Sequence, residues 1–278
     1  MTIEQIYAVL IAAGIVAALG AVVGIFLGIF GKVLAVPTDE KVEAVRECLP
    51  GNNCGGCGYS GCDGLAEAIV HGKAAVNACP VGGDECAEKI GVIMGRSAEA
   101  TVKKVAFVKC SGSCDKTRFK YEYFGDKDCH RVAVVPGRGN KICIHGCTGM
   151  GSCVAACPFD AIAIVQGRAQ VISEACRACG KCVSVCPHDL IELIPVTATH
   201  AVRCHSTEKG KAVREACDAG CIGCGICARV CPVGAVKVEN NMAYIDQSLC
   251  IHCGKCGEKC PAKVIVHPTG HQRSHTVL

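Results

Sequence analysis

The sequence predicts an α+β chain in four parts: one N-terminal transmembrane helix, a small four-cysteine domain, and two tandem modules of common layout. Three observations carry the prediction. An uncharged apolar run opens the chain. A glycine-rich block over residues 54–79 spaces its cysteines C-x2-C-x4-C-x16-C. Further on, eight cysteines recur at a constant shift of 74 residues. A shift that holds position for position marks a duplication.

The helix comes first. From Gln5 to Gly31 no residue is charged. At 1.5 Å rise per residue that run reaches about 40 Å, against a hydrocarbon core of about 30 Å. A signal peptide would need a basic start, and Glu4 stands there instead. Gly20, Gly24 and Gly28 recur every four residues on one face, where a second membrane helix can approach closely. Lys32, Lys41 and Arg46 follow, mixed with acids, so charge alone orients the helix weakly.

Composition bounds the rest. The 278 residues include 27 Cys, 33 Gly and no Trp. Cysteine at that density means a disulfide scaffold or a metal protein. Short C-x-x-C steps ending in Cys-Pro favour metal, and thiolate ligands call for a reducing compartment. Cofactors would then staple modules that build little conventional core. The formal charge of +4 misleads. Each four-thiolate site around an oxidised four-iron core carries about −2, so the loaded protein would be acidic. No basic stripe suggests a nucleic-acid partner.

In the small domain the candidate ligands are Cys54, Cys57, Cys62 and Cys79, with a helix at "DGLAEAIVHGKA" leading back to the fourth. Zinc is the bland alternative for such a set. The many similar motifs nearby favour a [4Fe-4S] cluster. Cys48 and Cys86 flank the block and read as small buried hydrophobes.

The modules follow. Cys143, Cys147, Cys153, Cys157, Cys176, Cys179, Cys182 and Cys186 match Cys217, Cys221, Cys227, Cys231, Cys250, Cys253, Cys256 and Cys260. Both halves of the second module, "CIGCGICARVCP" and "CIHCGKCGEKCP", are C-x2-C-x2-C-x3-C-P, the bacterial ferredoxin run. In that run the fourth Cys ligates the other cluster. Cys221, Cys224 and Cys227 therefore pair with Cys260, and Cys250, Cys253 and Cys256 with Cys231. Cys176, Cys179 and Cys182 likewise take Cys157. Between the halves, "AIAIVQGRAQVIS" and "AVKVENNMAYID" read as short hairpins.

One half is incomplete. Cys147 and Cys153, with Cys186 from across the module, lack a ligand at Met150, where the second copy has Cys224. Three readings compete. Cys143 swings in as the missing thiolate, which is the preferred one. A [3Fe-4S] cluster is held by three Cys. Or no cluster binds. Against the first stands Cys217, kept at the equivalent place in a module that does not need it.

Cys110, Cys114 and Cys129 lie in a charged, strand-like segment before the first module, and are extra ligand candidates. Three thiols need a fourth, and Cys143 is available for that role too. Cys204 and Cys217 precede the second module similarly. The residues commit to about five [4Fe-4S] clusters and not to a sixth. His267, His271 and His275 fall in a tail that reads as a solvated end. No G-x-G-x-x-G follows a strand, so no NAD site of that fingerprint is expected in this chain.

An apolar helix, C-x2-C-x4-C-x16-C and ferredoxin-type modules together resemble the RnfB family, the membrane-anchored polyferredoxins of the Rnf complex. The specific pieces are "CLPGNNCGGCGYSGC", "GCTGMGSCVAACPFDAI" and "GCIGCGICARVCP". The resemblance implies a membrane assembly that oxidises reduced ferredoxin, reduces NAD and moves Na+ or H+. This chain would be its iron–sulfur electron relay, one component of an oxidoreductase. Its partners would be reduced ferredoxin, the other membrane and flavin subunits, and the lipid bilayer. The Met150 loop is similar to the GCxGxGSC variant of clostridial-type members, which favours a working site. The cytoplasmic membrane is the implied location, single-pass, with the soluble domains on the cytoplasmic side. The Cys54 cluster, a few residues after Gly31, would be nearest the membrane. The alternatives are a polyferredoxin of another membrane redox enzyme, an iron–sulfur enzyme with an open catalytic cluster, and a zinc-rich module.

The expected boundaries are 1–35 for the anchor, 36–95 for the [4Fe-4S] domain and 96–140 for a connecting segment. Module one spans 141–192, a linker 193–216, module two 217–266 and the tail 267–278.

Overall fold

The structure is a computed structural model that describes residues 3–33, 39–97 and 102–268. His271 and His275 lie outside them. The chain forms two units, Met1–Glu43 and Ala44–Leu278.

The first unit is dominated by α1 (Ile3–Val33). Ala13–Gly31 is long and apolar enough to cross a membrane, with a mean hydropathy of 2.5. Its large apolar side chains from Ile15 to Phe30 are exposed. Open space surrounds the positions where Gly20, Gly24 and Gly28 would carry a Cβ.

The second unit begins within α2 (Glu40–Cys48), whose Arg46 pairs with Asp63 at 2.6 Å. Next, α3 (Cys62–Val70) is the predicted helix of the small domain. Asn53 Oδ1 accepts the Cys62 N–H at 2.8 Å and so fixes the turn that enters it. Along α3, Leu65, Ala66 and Ile69 form one buried face at helical spacing. α4 (Gly83–Met94) buries Ile90 and stops at Gly95, a left-handed C-terminal cap.

Residues 96–140 do more than connect. They supply β1 (Lys104–Val108) and α5 (Cys129–Val134). Asp128 caps α5 by accepting the N–H groups of His130 and Arg131 at 2.7 and 3.1 Å.

The first module then runs α6 (Ser152–Ala155), β2 (Ile162–Val165), β3 (Arg168–Val171), α7 (Lys181–Ser184) and β4 (Ile191–Pro195). β2 and β3 form the predicted hairpin, turning at Gln166 and Gly167, both with positive φ. β1 pairs antiparallel with β4, from Lys104 opposite Pro195 to Val108 opposite Ile191.

The second module repeats this plan. β5 (Ala201–Val202) and α8 (Lys211–Ala216) precede α9 (Ile226–Arg229), β6 (Val236–Glu239), β7 (Met242–Ile245), α10 (Lys255–Glu258) and β8 (Ile265–Val266). β6 and β7 turn at Asn240 and Asn241, and β5 pairs with β8. Each module thus takes an edge strand from the segment before it. The cores are small: Val105, Phe107, Ile162, Leu190 and Ile191 in one, Val236, Ile245 and Val264 in the other.

Candidate functional site

Four short helices place the third cysteine of each half-motif. Cys153, Cys182, Cys227 and Cys256 are each the second residue of α6, α7, α9 and α10, and all are buried. Before each stands a glycine with positive φ: Gly151, Gly180, Gly225 and Gly254. That conformation is one glycine adopts without strain. The loop therefore turns sharply into the helix and leaves its cysteines around a common centre.

The crossed pairing expected from spacing is reflected in which thiols neighbour one another. Burial pushes Cys182 up to about 12, with Cys176, Cys179 and Cys157 adding to the rise. Burial likewise holds Cys227 at about 11 beside Cys221, Cys260 and Cys224. Those four line a narrow cavity of about 20 Å³. Cys256 is raised by burial and by Cys250 and Cys231. Cys253 is exposed.

In the small domain, Cys57 and Cys79 line one cavity with Gly56, Gly82 and Cys176. Cys62 opens α3, and Cys54 is close enough to Cys179 to raise it. Gly56 lies against the Cys179 carbonyl so closely that a Cβ there would stand 2.5 Å from its oxygen. The Cys79 thiol is lowered to about 6, first by a hydrogen bond from the Cys86 thiol, against burial, and then by the backbone N–H groups of Gly82 and Val81. Cys86 is correspondingly pushed up by its bond to Cys79. In the sequence Cys86 reads as a buried hydrophobe. It is buried, but its thiol donates to a candidate ligand, and no spacing rule signals that.

The incomplete half differs most from expectation. Burial and the neighbours Cys147, Cys129, Cys186 and Cys182 hold Cys153 at about 12. Cys129, at the start of α5, is the thiol that reaches the Met150 loop. Burial pushes it up, but the polar groups of Thr148, Ser152 and Met150 around its sulfur outweigh that and hold it low. The Cys129 N–H also donates to Ser152 Oγ at 2.8 Å. Cys143, the thiol preferred from sequence, is elsewhere: it lines a cavity with Cys110, and burial raises its thiol with Cys110 adding to the rise. The reason is local. Cys143 and Cys147 lie in one short loop that lines a cavity with Cys110, whereas the start of α5 is tied to the motif through the Cys129 N–H and Ser152 Oγ.

That cavity, of about 350 Å³, is lined by Cys110, Cys143, Cys147, Cys204 and Cys217. Cys114, grouped with Cys110 and Cys129 in the sequence, is not among its walls; it is exposed and lies against Gly167. Around the modules lie three buried cations, Lys141, Arg168 and Arg203, at 5, 8 and 8% exposure. Lys141 donates to the carbonyls of Gly112, Cys147 and Gly167 at 3.1, 2.8 and 2.8 Å. Arg203 stacks on Phe107 at 5.3 Å. Burial, with Arg168 alongside, lowers its guanidinium to about 10. None of the three pairs with a carboxylate among the described residues.

These features suit iron–sulfur clusters. All 27 cysteines are free thiols. Sulfurs accept backbone N–H groups, as Cys157 does from Ala161 at 3.4 Å, Cys147 from Ala169 at 3.5 Å and Cys186 from Leu190 at 3.5 Å. Such bonds are a lever on cluster potential. Among the described residues no three His, Cys, Asp or Glu side chains converge on a single metal ion. A four-iron core spreads its ligand sulfurs wider than one zinc does. The buried cations complement an anionic core.

Comparison with known proteins agrees. Residues 49–81 match the family described as "Putative Fe-S cluster". Residues 139–187 match one 4Fe-4S dicluster domain family, and 175–235 and 220–264 match another. The chain is 47% identical to the B subunit of the Na(+)-translocating ferredoxin:NAD(+) oxidoreductase complex of Acetobacterium woodii, over 86% of this chain and 72% of that one. It is 43% identical to the B subunit of the proton-translocating ferredoxin:NAD(+) oxidoreductase complex of Clostridium ljungdahlii, over 83% and 82%. Against the B subunit of the ion-translocating oxidoreductase complex of Methanosarcina acetivorans the identity is 41%, over 84% and 88%.

Proposed function

Because the chain belongs to the RnfB family of ion-translocating ferredoxin:NAD(+) oxidoreductases, and is an iron–sulfur electron-transfer subunit of that oxidoreductase, we propose that it is the arm that takes electrons from reduced ferredoxin and passes them toward membrane partners. When bound, each cluster supplies one-electron redox chemistry. The protein supplies ligands, spacing, burial and hydrogen bonds to sulfur.

Five [4Fe-4S] sites are assigned on this reading. Cys54, Cys57, Cys62 and Cys79 hold the first. Cys157, Cys176, Cys179 and Cys182 hold the second. Cys147, Cys153 and Cys186 hold the third, with Cys129 as fourth ligand in place of Cys143. The fourth uses Cys221, Cys224, Cys227 and Cys260, and the fifth Cys231, Cys250, Cys253 and Cys256. The Cys129 thiol, beside Cys153 and tied to Ser152, supports the four-ligand reading over a three-iron or open catalytic centre at Met150.

One observation carries the relay reading: candidate sites abut through their own cysteines. Cys54 neighbours Cys179, and Cys182 neighbours Cys153. Electron transfer between clusters needs such closeness and no moving part. The exposed end is the fifth site, where Cys253 stands beside exposed Leu249 and Ile251. Ferredoxin docks there. The first site faces the membrane subunits, α1 anchors the chain in the bilayer, and the second unit lies on the cytoplasmic side. Flavin and NAD bind to partner subunits.

The test is anaerobic reduction of the purified chain by a stoichiometric excess of reduced ferredoxin, freed of other reductant, followed by EPR. Reduced-cluster signals should appear and should be lost with Leu249→Glu/Ile251→Glu. If ferredoxin leaves every cluster oxidised while dithionite reduces them, the chain is not the acceptor.

A further inference from the structure

We propose that Cys110, Cys143, Cys204 and Cys217 hold a sixth [4Fe-4S] cluster, one that joins the two modules into a single electron path. The inference goes beyond the five-site relay and rests on that reading only for its function.

The four thiols come from four separate segments, yet they line one cavity of about 350 Å³. Cys217 is raised by burial and feels both Cys110 and Cys143. Cys204 also feels Cys110. A Cβ on Gly112 would stand 3.5 Å from the Cys217 sulfur and 3.6 Å from the Cys110 sulfur, so one glycine separates two of the thiols. α8 covers the cavity with Val213, and Cys217 caps its C-terminus.

A second observation is independent of proximity. The Cys110 sulfur accepts the Cys147 N–H at 3.4 Å. This matches the sulfur–amide pattern of the ferredoxin-type sites. Buried Lys141 and Arg203 also line the cavity. Burying cations without carboxylate partners is costly unless an anion faces them, and a four-thiolate cluster of about −2 is such an anion. A zinc ion would carry the same charge, but these thiols do not converge on a single-ion geometry.

Its neighbours also place the site in the path. Cys147 belongs to the third site and donates to Cys110. Cys221 belongs to the fourth and neighbours Cys204. The cavity therefore lies between the third and fourth sites. Loading forms four iron–sulfur bonds and releases four thiol protons to solvent. In turnover the site takes one electron from one neighbour and gives one to the other, with no bond made or broken.

The experiment is iron and acid-labile sulfide per chain, on full-length protein purified without oxygen. Six sites give about 24 iron and five give about 20. Cys204→Ala and Cys217→Ala should each lose about four iron and four sulfide, while Cys114→Ala keeps the full count. About 20 iron in the unaltered chain, with or without one zinc, overturns the proposal. So does a full count in both Cys204→Ala and Cys217→Ala. The unaltered count needs no variant to fold. The five-site reading fails by a different result, a full count in Cys176→Ala or Cys224→Ala.

Discussion

Replacing Cys129 by alanine removes the thiol that stands beside Cys153 and the Met150 loop. One iron corner loses its thiolate, so the third site should fall to a [3Fe-4S] form, with one iron fewer per chain and a three-iron EPR signal in oxidised protein. The pairing should be reversible by design. Met150 stands where the second module has Cys224, so Cys129→Ala/Met150→Cys rebuilds the complete run and should restore the fourth iron and abolish the signal. Cys143→Ala should leave the third site intact and remove about four iron through the interior cavity. A three-iron signal in Cys143→Ala but not in Cys129→Ala would refute the assignment. Ser152→Ala is the graded companion. A hydrogen bond to sulfur favours the more negative, reduced state, so its loss should lower that site's potential. A differential of about 0.5–1 kcal/mol is about 20–40 mV for a one-electron couple.

Four further outcomes are expected. Gly149→Ala puts a side chain at φ +77 with its Cβ 2.4 Å from the Gly167 carbonyl oxygen. It should destabilise the first module by about 1–3 kcal/mol in denaturant titration; an unchanged midpoint would contradict that contact. Lys141→Met leaves three carbonyls without their donor and should cost about 3 kcal/mol or more, read as faster cluster bleaching in urea. His200, lowered first by burial and then by His267 and His252, is held below its ordinary value of 6.5. A depressed group contributes stability above the unfolded value that is lost as pH falls through the folded one. The second module should therefore weaken on acidification below about pH 6.5, and His200→Gln should flatten the dependence. Removal of residues 1–33 should move the protein from the membrane to the soluble fraction with its iron content unchanged; retention on the membrane would locate the anchor elsewhere.

The legibility of this chain follows the range of its interactions. Crossed ligands and hairpins are written in short spacings and in turn residues such as Asn240 and Asn241, so the motif reads them directly. β1 is readable as a strand, but its partner β4 lies on the far side of the whole first module and only the folded chain brings them together. Cys129 is readable as a spare thiol. What assigns it to the Met150 loop is the Asp128 cap and the packing of α5, a tertiary fact. Cys143 misleads because sequence proximity to Cys147 stands in for direction in space. Cys110, Cys204 and Cys217 present the same difficulty in several segments at once, and the exposed Cys114 beside Cys110 carries no mark of being different.

The buried cations carry a lesson about biogenesis. Lys141, Arg168 and Arg203 are buried with no ion-paired carboxylate among the described residues. A chain that has not received its inorganic cargo must hold those charges together unscreened, which opposes closing the modules. Folding and metallation should then be coupled, and chains short of iron should be more open to proteolysis than loaded ones. On that expectation the same three side chains that face the clusters would also act as an inspection step on the subunit's manufacture.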